Sequence, residues 1–384
     1  MRKGFIKGAL CGALTMLLVV VLGLLAGGYI LLVKDGEVID TDTKIKLESI
    51  QNIINREFLY EDDIDEELMR EYVVKGYVEG LGDKYSVYYN EEETIDLLET
   101  TSGEFVGIGV VITQDPDTNY VEIVNVYEDS PGEEAGLLAG DIFYKIDGED
   151  VLSLDIDQVV SKIRGEEGTK VDITVVRGSD FKEFETTAIR AVIEVTSVTY
   201  EMKNDSIGYM EISAFEGTTL SQFEEALKDL KSQGMKSLVI DLRDNPGGNL
   251  STVVEMLDLI LPKGKIVYTQ TKNLERDYFY SDEERQLDIP IAVLINGNSA
   301  SASEIFAGAI QDYGWGTIVG TTSFGKGIVQ KLFQLPDGTC LKITTSEYFT
   351  PNGRNIHGIG IEPDVVVEYE YDDNQLERAM ECLK

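Results

Sequence analysis

The sequence predicts an α/β protein with a second, smaller domain rich in β-strands and one membrane-spanning segment. From residue 206 onward, short apolar stretches alternate with amphipathic stretches of helical period. This alternation is typical of helices packed on a largely parallel sheet. Residues 103–192 instead contain several short strand-like segments and two short helical ones, which suits a small, partly open barrel. An apolar run at residues 8–33 precedes both regions.

The composition is that of a folded and strongly acidic protein. Of the 384 residues, 43% are hydrophobic, and 70 Asp and Glu against 33 Lys and Arg give a formal net charge of −37. The length favours two or three domains over one. A body of this charge is repelled by phosphate backbones, so we expect no nucleic acid as a partner. One histidine and three cysteines without a C-x-x-C motif argue against a zinc site.

The apolar run at residues 8–33 is long enough to cross a membrane. It contains 26 uncharged residues, whereas a helix needs about 20 apolar residues to span the hydrocarbon. The basic residues Arg2, Lys3 and Lys7 precede the run, and acidic residues follow it. The positive-inside rule therefore predicts a single-pass signal-anchor in the cell membrane, with the acidic body on the extracytoplasmic side. A cleaved signal peptide is the alternative, although its apolar region would be shorter, about 7 to 15 residues.

Residues 1–34 are thus predicted to hold the cytoplasmic N-terminus and the membrane segment, and residues 35–102 a helical segment. Apolar residues recur there at spacings of two to four and form a stripe on one helix face. The stripe consists of Ile45, Leu47, Ile50, Ile53, Ile54 and Phe58. The sequence GLGDKYSVYY at residues 80–89 interrupts the pattern, and a short helix is predicted at residues 91–98. We interpret this segment as a spacer or as the contact surface of a possible homodimer.

The remaining boundaries are a strand-rich domain at residues 103–192, an α/β core at 193–370 and a C-terminal tail helix at 371–384. In the strand-rich domain we predict strands at residues 105–112, 121–127, 140–148 and 170–177, the last of them the final strand, and helices at 131–137 and 154–163. In the α/β core we predict strands at residues 206–212, 237–242, 291–296, 317–320, 328–335 and 341–346, and helices at 220–230, 249–261 and 301–313. In such sheets, ligands bind at the loops that follow the carboxyl ends of the strands.

The loop GNSASASE at residues 297–304 joins a predicted buried strand to a helix and contains three candidate nucleophiles, Ser299, Ser301 and Ser303. At such a junction the first backbone N–H groups of the helix are unpaired and can stabilise an anion. Ser301 and Glu304 also form a capping-box pattern, so a purely structural role is the alternative. A catalytic serine needs a base, and the interpretation depends on that partner.

A lysine is the other option for the base, and Lys326 is the candidate. The single histidine, His357, lies in a polar loop rich in Gly and Pro, where a turn or surface role is expected and a Ser-His-Asp triad is not favoured. Lys326 lies between two glycines, which let the backbone run close to another element and bury the side chain. Burial can lower a lysine pKa by about 3–5 units, which makes it a workable base. Gln330, four residues on, could accept a hydrogen bond from the amine; an ordinary surface lysine is the alternative.

The loop DLRDNPGG at residues 241–248 follows another predicted buried strand and contains Gly247 and Gly248 at the start of a helix. Consecutive backbone N–H groups in such a loop can hold an oxyanion. A tight turn without a ligand is the alternative. Phosphate binding is not favoured, because the sequence has no G-x-x-x-x-G-K-[ST] motif and the body is acidic.

Together these motifs resemble the carboxy-terminal processing peptidases, which are tail-specific serine proteases with a PDZ domain and a Ser/Lys dyad. The resemblance rests on a G-x-G opening at residues 107–109 and on DLRDNPGG, SASASE, FGKGIVQ and YFTPNGRNIHGIGIEPD, in that order. It implies a Clp/crotonase-like α/β protease core with an inserted PDZ-like domain. The nucleophile would be Ser301, the general base Lys326 and its orienting partner Gln330.

The resemblance also implies the oxyanion donors and the reaction. The N–H groups of Gly247 or Gly248 and of Ala302 would stabilise the tetrahedral anion. The reaction would be acyl transfer by a serine-type endopeptidase, and it would need no metal and no organic cofactor.

Substrate choice would depend on the PDZ-like domain. A peptide would add as a strand, with its C-terminal carboxylate bound by the run Gly107, Ile108, Gly109 and Val110. The resemblance further implies that this domain gates access to the nucleophile, and Arg164 or Arg177 could relay the signal. The alternative function is a catalytically silent PDZ scaffold that only binds peptides.

Overall fold

The computed structural model describes residues 38–178, 180–282 and 286–383. It divides the chain into two units, Met1–Glu71 and Tyr72–Lys384. The predicted membrane segment at residues 8–33 lies outside the described residues. Within the described ranges, no helix has both the length and the apolar character needed to cross a membrane.

The described part of the first unit is mainly helical, as predicted. Helix α1, Thr41–Glu57, begins at Asp40, whose carboxylate accepts a hydrogen bond from the Thr43 N–H at 2.8 Å. None of its residues is buried, so its apolar stripe is exposed within this unit. A single 3₁₀ turn, Glu61–Asp63, follows.

Three short elements precede the strand-rich domain: helix α2, Glu66–Glu79, strand β1, Val87–Tyr89, and helix α3, Glu91–Ser102. Helix α3 begins with a complete capping box, in which the Asn90 side chain and the Glu93 N–H are bonded at 2.9 Å. It ends at Gly103, which has a φ of 76°. The segment at residues 80–89, predicted as an interruption between helices, therefore contains strand β1, which pairs with residues 340–342 much later in the chain.

The strand-rich domain is built mainly from one antiparallel sheet. Its elements are β2, Glu104–Gly107; β3, Val110–Gln114; β4, Val121–Val126; α4, Pro131–Glu134; β5, Ile142–Ile146; β6, Glu149–Asp150; α5, Ile156–Ile163; β7, Lys170–Arg177; β8, Lys182–Ile189; and β9, Ala191–Glu194. The strand order is β3-β4-β5-β7-β8, β6 pairs with β5, and β2 pairs separately with β9. Val159 and Ile163 of α5 pack with Phe143 and Val171 in the core of this domain.

Two predictions for this domain are wrong. The predicted strand at residues 105–112 is divided into β2 and β3, because Gly109 adopts a φ of 72° between them. The segment at residues 170–177 is not the last strand, since β8 and β9 follow it. Strand β8 has the sequence KEFETTAI, in which charged and hydroxyl side chains outnumber apolar ones, so its alternation is hard to recognise.

The α/β core contains the predicted, largely parallel sheet. Its strands are β10, Val198–Met202; β11, Ile207–Ile212; β12, Ser237–Asp241; β15, Ile291–Ile295; β16, Thr317–Gly320; and β19, Val365–Val366. They follow the order β10-β11-β12-β15-β16-β19, in which only β10 is antiparallel to its neighbour. Strands β12 and β15 are buried along their whole length.

Helices cover both faces of this sheet. They are α6, Thr219–Ser232; α7, Leu250–Asp258; α8, Ala302–Tyr313; and α9, Asn374–Cys382. Helices α6, α7 and α8 share one large hydrophobic core with the sheet, represented by Phe223, Met256 and Phe306. Helix α9 packs Ala379 and Leu376 against the opposite face. The loops that follow β12 and β15 therefore lie side by side, at the N-termini of α7 and α8.

A second, antiparallel sheet was not predicted. It consists of β13, Gly264–Thr271; β14, Arg276–Ser281; β17, Ile328–Gln334; β18, Cys340–Phe349; and β1. The segments at residues 328–335 and 341–346, which we expected to continue the parallel series, form the hairpin β17–β18 of this sheet. Its turn contains Gly338 with a φ of 87°, and the Leu335 N–H donates to the Thr339 carbonyl oxygen at 2.9 Å.

Candidate active site

The loop before α8 places its three serine hydroxyls in different surroundings. Ser299 and Ser303 are fully buried, and their hydroxyls donate to the carbonyl oxygens of Leu242 at 2.7 Å and Asn245 at 3.0 Å. Ser301 is partly exposed, and its hydroxyl donates to no carbonyl group among the described residues. Ser299 and Ser303 thus hold this loop against the DLRDNPGG loop, and only Ser301 is left as a candidate nucleophile.

The backbone at Ser301 is strained. Its φ of 55° and ψ of −111° lie in a region that residues with a side chain rarely adopt, and such strain is concentrated at functional sites. The predicted capping box with Glu304 is present. The Glu304 N–H, however, donates to the Ser301 carbonyl oxygen at 2.9 Å, so capping does not require the hydroxyl.

The carboxylate of Glu304 connects the candidate nucleophile to the candidate base. It is fully buried, and one of its oxygens, Oε2, accepts hydrogen bonds from the N–H of Ser301 at 2.9 Å and of Lys326 at 2.8 Å. The other oxygen, Oε1, accepts from the Gly325 N–H at 2.7 Å and the Ser323 hydroxyl at 2.5 Å. A single side chain therefore fixes the start of α8 and the Lys326 loop together. We had assigned Glu304 only to helix capping, because nothing local in the sequence indicates its contacts about twenty residues away.

The side chain of Lys326 is half-buried and lies over an aromatic ring. Its Nζ is 4.8 Å from the ring centroid of Tyr85, a distance typical of a cation–π contact. Within the described residues, the amine forms no hydrogen bond with Ser301 or Gln330. Gln330 pairs with Thr344 across β17 and β18, and its Nε2 donates to the Thr344 hydroxyl at 3.2 Å. Its carbonyl oxygen is thus available to accept a hydrogen bond from a lysine.

The electrostatic surroundings of Lys326 favour the neutral amine. Burial is the largest effect that lowers its pKa, and the nearby ammonium groups of Lys342 and Lys84 lower it further. The carboxylates of Glu304 and Asp83 oppose this change. Together these effects place the pKa of Lys326 below the ordinary lysine value, which is the direction that a general base requires.

The DLRDNPGG loop approaches the serine closely, and only glycine permits this. A Cβ at Gly247, whose φ is 104°, would lie 2.8 Å from the Ser301 Cβ and 2.9 Å from the Ala302 nitrogen. The Gly247 N–H donates to the Asn245 side chain at 2.8 Å. Among the described residues, the N–H groups of Gly248 and Ala302 have no acceptor. Of the two glycines predicted as oxyanion donors, Gly248 is therefore the one with a free N–H.

The loop at residues 83–86 also belongs to this site, although we had interpreted it only as an interruption between helices. The Asp83 carboxylate accepts hydrogen bonds from the Ser86 hydroxyl at 2.7 Å and the Tyr85 N–H at 3.1 Å. The Thr344 N–H in turn donates to the Ser86 hydroxyl at 3.1 Å. These bonds hold Tyr85 next to Lys326. No sequence signal indicated this contact, because Ser86 and Thr344 are 258 residues apart.

The predicted peptide-binding residues form a groove in the strand-rich domain. A cavity of about 170 Å³ is lined by Phe105, Gly107, Ile108, Gly109, Val110, Ile112, Val160, Ile163 and Arg164. It lies between α5 and β3, an edge strand whose outer side is free to pair with a peptide. A Cβ at Gly109 would lie 2.3 Å from the Ser130 Cβ, so the close backbone approach at this end of the groove requires glycine.

The two arginines considered as relays have different partners. Arg177 makes two hydrogen bonds to the buried Asp141, at 2.6 and 2.7 Å, and remains within the strand-rich domain. Arg164 lines the groove and also forms ion pairs with Asp96 at 2.5 Å and Glu99 at 3.2 Å, both on α3. Arg164 is thus the one that connects the groove to another part of this unit.

The other titratable candidates do not form a second site. His357 is exposed, and its backbone N–H donates to Asn355 at 2.8 Å. In the part of the chain that the structure describes, no group of three or more His, Cys, Asp or Glu side chains is arranged to hold a metal ion.

Comparisons with known proteins agree with this architecture. A family model described as Peptidase family S41 matches residues 206–367, and a PDZ domain model matches residues 122–177. The carboxy-terminal-processing protease of Bartonella bacilliformis is 39% identical over 310 residues, which cover 79% of this chain and 70% of that protein. A probable CtpA-like serine protease of Staphylococcus aureus is 35% identical over 326 residues, which cover 84% of this chain and 64% of that protein.

Solved structures of other proteins are also similar. The photosystem II D1 C-terminal processing protease is 25% identical, with a TM-score of 0.49, and the match covers 90% of this chain and 98% of that one.

The family matches define a serine-type peptidase that contains a PDZ domain. The chain belongs to the carboxy-terminal-processing proteases of peptidase family S41. The predicted family resemblance and the mixed α/β fold with a PDZ domain are thereby confirmed. The match to the Staphylococcus aureus relative extends over slightly less than two thirds of that protein's length.

Proposed function

We propose that this chain is an endopeptidase in which Ser301 is the nucleophile, Lys326 the general base and Gln330 the group that orients the base. The observation that carries this proposal is the position of Glu304. Because one carboxylate oxygen accepts hydrogen bonds from the N–H groups of both Ser301 and Lys326, their backbones are held together in the fold. The partly exposed serine, its strained backbone and the half-buried lysine support the same assignment.

The proposed reaction is acyl transfer. The neutral amine of Lys326 removes the proton from the Ser301 hydroxyl as Oγ attacks a peptide carbonyl carbon. The free N–H groups of Gly248 and Ala302 stabilise the negative charge on the carbonyl oxygen. Lys326 then protonates the leaving amine, and a water molecule, deprotonated by the same lysine, hydrolyses the acyl-enzyme. Before the first step the amine must move from the Tyr85 ring toward Ser301, a change expected of a site without substrate.

We propose that the PDZ domain selects substrates by their C-terminal tails. A peptide would pair with the free edge of β3, and its carboxylate would face the loop between β2 and β3 that contains Ile108 and Gly109. The apolar side chains of Val160 and Ile163, which line the groove, would receive the side chain of the last peptide residue. Proteins or peptides with accessible C-termini are therefore the proposed partners.

The proposed location follows from the sequence. The apolar run at residues 8–33, with basic residues before it and acidic residues after it, would anchor the chain in the cell membrane with the peptidase domain on the extracytoplasmic side. The exposed apolar stripe on α1 is a candidate contact surface for a homodimer.

Hydrolysis of an unfolded protein by the full-length chain tests the proposed mechanism. We expect Ser301→Ala and Lys326→Arg to be inactive, because the first lacks the nucleophile and an arginine cannot lose its proton. Lys331→Arg, at an exposed neighbouring position, is the matched control and should keep full activity. Full activity of Lys326→Arg would contradict the lysine-base mechanism. Binding of tail peptides by the unmodified chain without any hydrolysis would instead favour the peptide-binding scaffold.

A further inference from the structure

Three lysines, Lys84, Lys326 and Lys342, lie around the proposed active site and have no carboxylate partner within the described residues. Lys84 and Lys326 both place their Nζ 4.8 Å from the ring centroid of Tyr85, and the Nζ of Lys342 lies 5.0 Å from that of Tyr89. Among the described residues, none of these three amines forms an ion pair.

Paired strands and a bonded loop hold the two flanking lysines in place. Lys342 lies on β18, opposite Val87 of β1 on one side and Leu332 of β17 on the other. It is two residues from Thr344, the hydrogen-bond partner of Gln330, so it shares that face of the strand. Lys84 belongs to the 83–86 loop, which the hydrogen bonds of Asp83 and Ser86 attach to β18.

Lys84 and Lys326 lie close enough for the charge of one to affect the other. Two amines that each lie 4.8 Å from one ring centroid are separated by at most about twice that distance. This separation is comparable to the screening length of physiological salt, about 8 Å, and half-buried charges are screened less than exposed ones. A neighbouring positive charge at this range opposes protonation of an amine.

Every element around Lys326 contributes a charged or titratable group. Lys342 extends from β18, and Lys84 and Asp83 extend from the 83–86 loop. His357 lies close enough to Asp83 to interact with its carboxylate electrostatically. Glu304 extends from α8, and the phenol of Tyr85 faces the amine. The carboxylates of Glu304 and Asp83 raise the pKa of Lys326, whereas burial and the two ammonium groups lower it.

We propose that Lys342 and Lys84 are positioning residues for the catalytic base, and that their positive charges keep the amine of Lys326 unprotonated at the working pH. The proposal rests on the proposed function, in which Lys326 is the base. An amine next to another cation is a known route to an activated lysine. Because Lys342 is half-buried and Lys84 is exposed, Lys342 has the larger effect.

The first test is the pH dependence of kcat/KM for the full-length chain, whose acidic limb reports the free base. Lys342→Met and Lys84→Met should move this limb to higher pH, with about a three- to tenfold loss at neutral pH that disappears at alkaline pH. The corresponding Arg variants keep the charge and should keep the parent's profile. Lys145→Met is the matched control, because this lysine also packs over a tyrosine, Tyr144 at 4.6 Å, but lies on β5 of the PDZ domain.

The second test measures the amine without catalysis. In Ser301→Ala chains, acetic anhydride modifies only the neutral form of each lysine, and mass spectrometry of the peptide that contains Lys326 gives the fraction modified at each pH. Adding Lys342→Met should raise the pH at which Lys326 becomes reactive, whereas adding Lys145→Met should not. This readout separates the two proposals, since it remains valid if the parent chain hydrolyses nothing.

An unchanged labelling curve for Lys326 in both Met variants would overturn the inference, whether or not the parent is active. A rise in KM with an unchanged pH profile would also overturn it, because the lysines would then bind a carboxylate of the substrate. Matching shifts in the labelling curve and the acidic limb would support it. If Lys342→Met shifts the labelling curve of Lys326 but the parent chain hydrolyses nothing, the inference is supported and the proposed function is contradicted.

Discussion

Replacing Glu304 with Gln removes one of the two acceptor oxygens that hold the proposed active site together. This carboxylate accepts four hydrogen bonds. One comes from Ser301, and the other three come from the segment that contains Lys326, namely from Ser323, Gly325 and Lys326. An amide of the same shape can accept only through its single oxygen. The other end becomes an NH₂ group that faces two former donors, so two hydrogen bonds are lost without any change in side-chain volume.

The expected cost follows from those two bonds. A hydrogen bond to a charged group contributes about 1.5–3 kcal/mol, so losing two costs about 3–6 kcal/mol. A neutral amide is less costly to bury than a carboxylate, which places the expected loss in the free energy of unfolding near the lower end, about 3 kcal/mol. Because the loop would also shift relative to Ser301, and a displacement of about 1 Å can cost 10²-fold in rate, we expect kcat to fall by about 10²-fold.

Urea unfolding of the full-length chain and its peptidase activity measure the two effects of Glu304→Gln. Glu347→Gln is the matched control, because Glu347 lies exposed on β18, and its loss should change stability by no more than about 0.5 kcal/mol. A Glu304→Gln chain within about 1 kcal/mol of the parent and with nearly normal kcat would refute the conclusion that this carboxylate joins nucleophile and base.

Three further predictions concern the PDZ domain. Gly109→Ala should weaken binding of a tail peptide at least about tenfold in a fluorescence anisotropy titration, because the added Cβ would collide with Ser130. Gly140→Ala is the control, since Gly140 also has a positive φ, 90°, but has open space around it. Arg164→Met should keep peptide binding but abolish any stimulation of hydrolysis by the peptide, because the ion pair with Asp96 is lost. Arg177→Met should instead destabilise the domain by leaving a buried carboxylate unpaired, and equal behaviour of the two Arg variants would contradict these separate roles.

The sequence was sufficient to predict the parallel sheet because each of its central strands is marked locally. Strands β12 and β15 are runs of buried, mostly apolar residues, each followed by a glycine- or serine-containing loop and an amphipathic helix. The antiparallel sheet is marked only in part. Strands β17 and β18 were predicted as strands, but nothing in the sequence showed that they belong to a separate sheet. Strand β14, with the sequence RDYFYS, is mainly exposed and polar, so neither its alternation nor its partner β13 could be recognised.

The candidate site, like the fold, was recognisable from the sequence only in part. Ser301, Lys326 and the two glycines could be proposed from the sequence, because each lies in a short loop whose residue types suit one chemical role. The choice of Ser301 among three serines came from the family resemblance. The contacts that adjust this site join distant parts of the chain, such as Glu304 with the Lys326 loop and Tyr85 with Lys326 itself. No periodicity or spacing in one sequence encodes such pairs, because the fold alone brings them together.

The net charge of the chain explains why a lysine base would need neighbouring cations. A protein with a formal charge of −37 produces a negative potential that favours the protonated form of every amine, and a base must be unprotonated. Burial opposes this potential at Lys326, but the buried carboxylate of Glu304, which the site needs for its geometry, adds a further negative charge close by. Lys342 and Lys84 supply positive charge at the same place. The carboxylate that positions the base and the ammonium groups that keep it neutral are therefore two parts of one electrostatic arrangement.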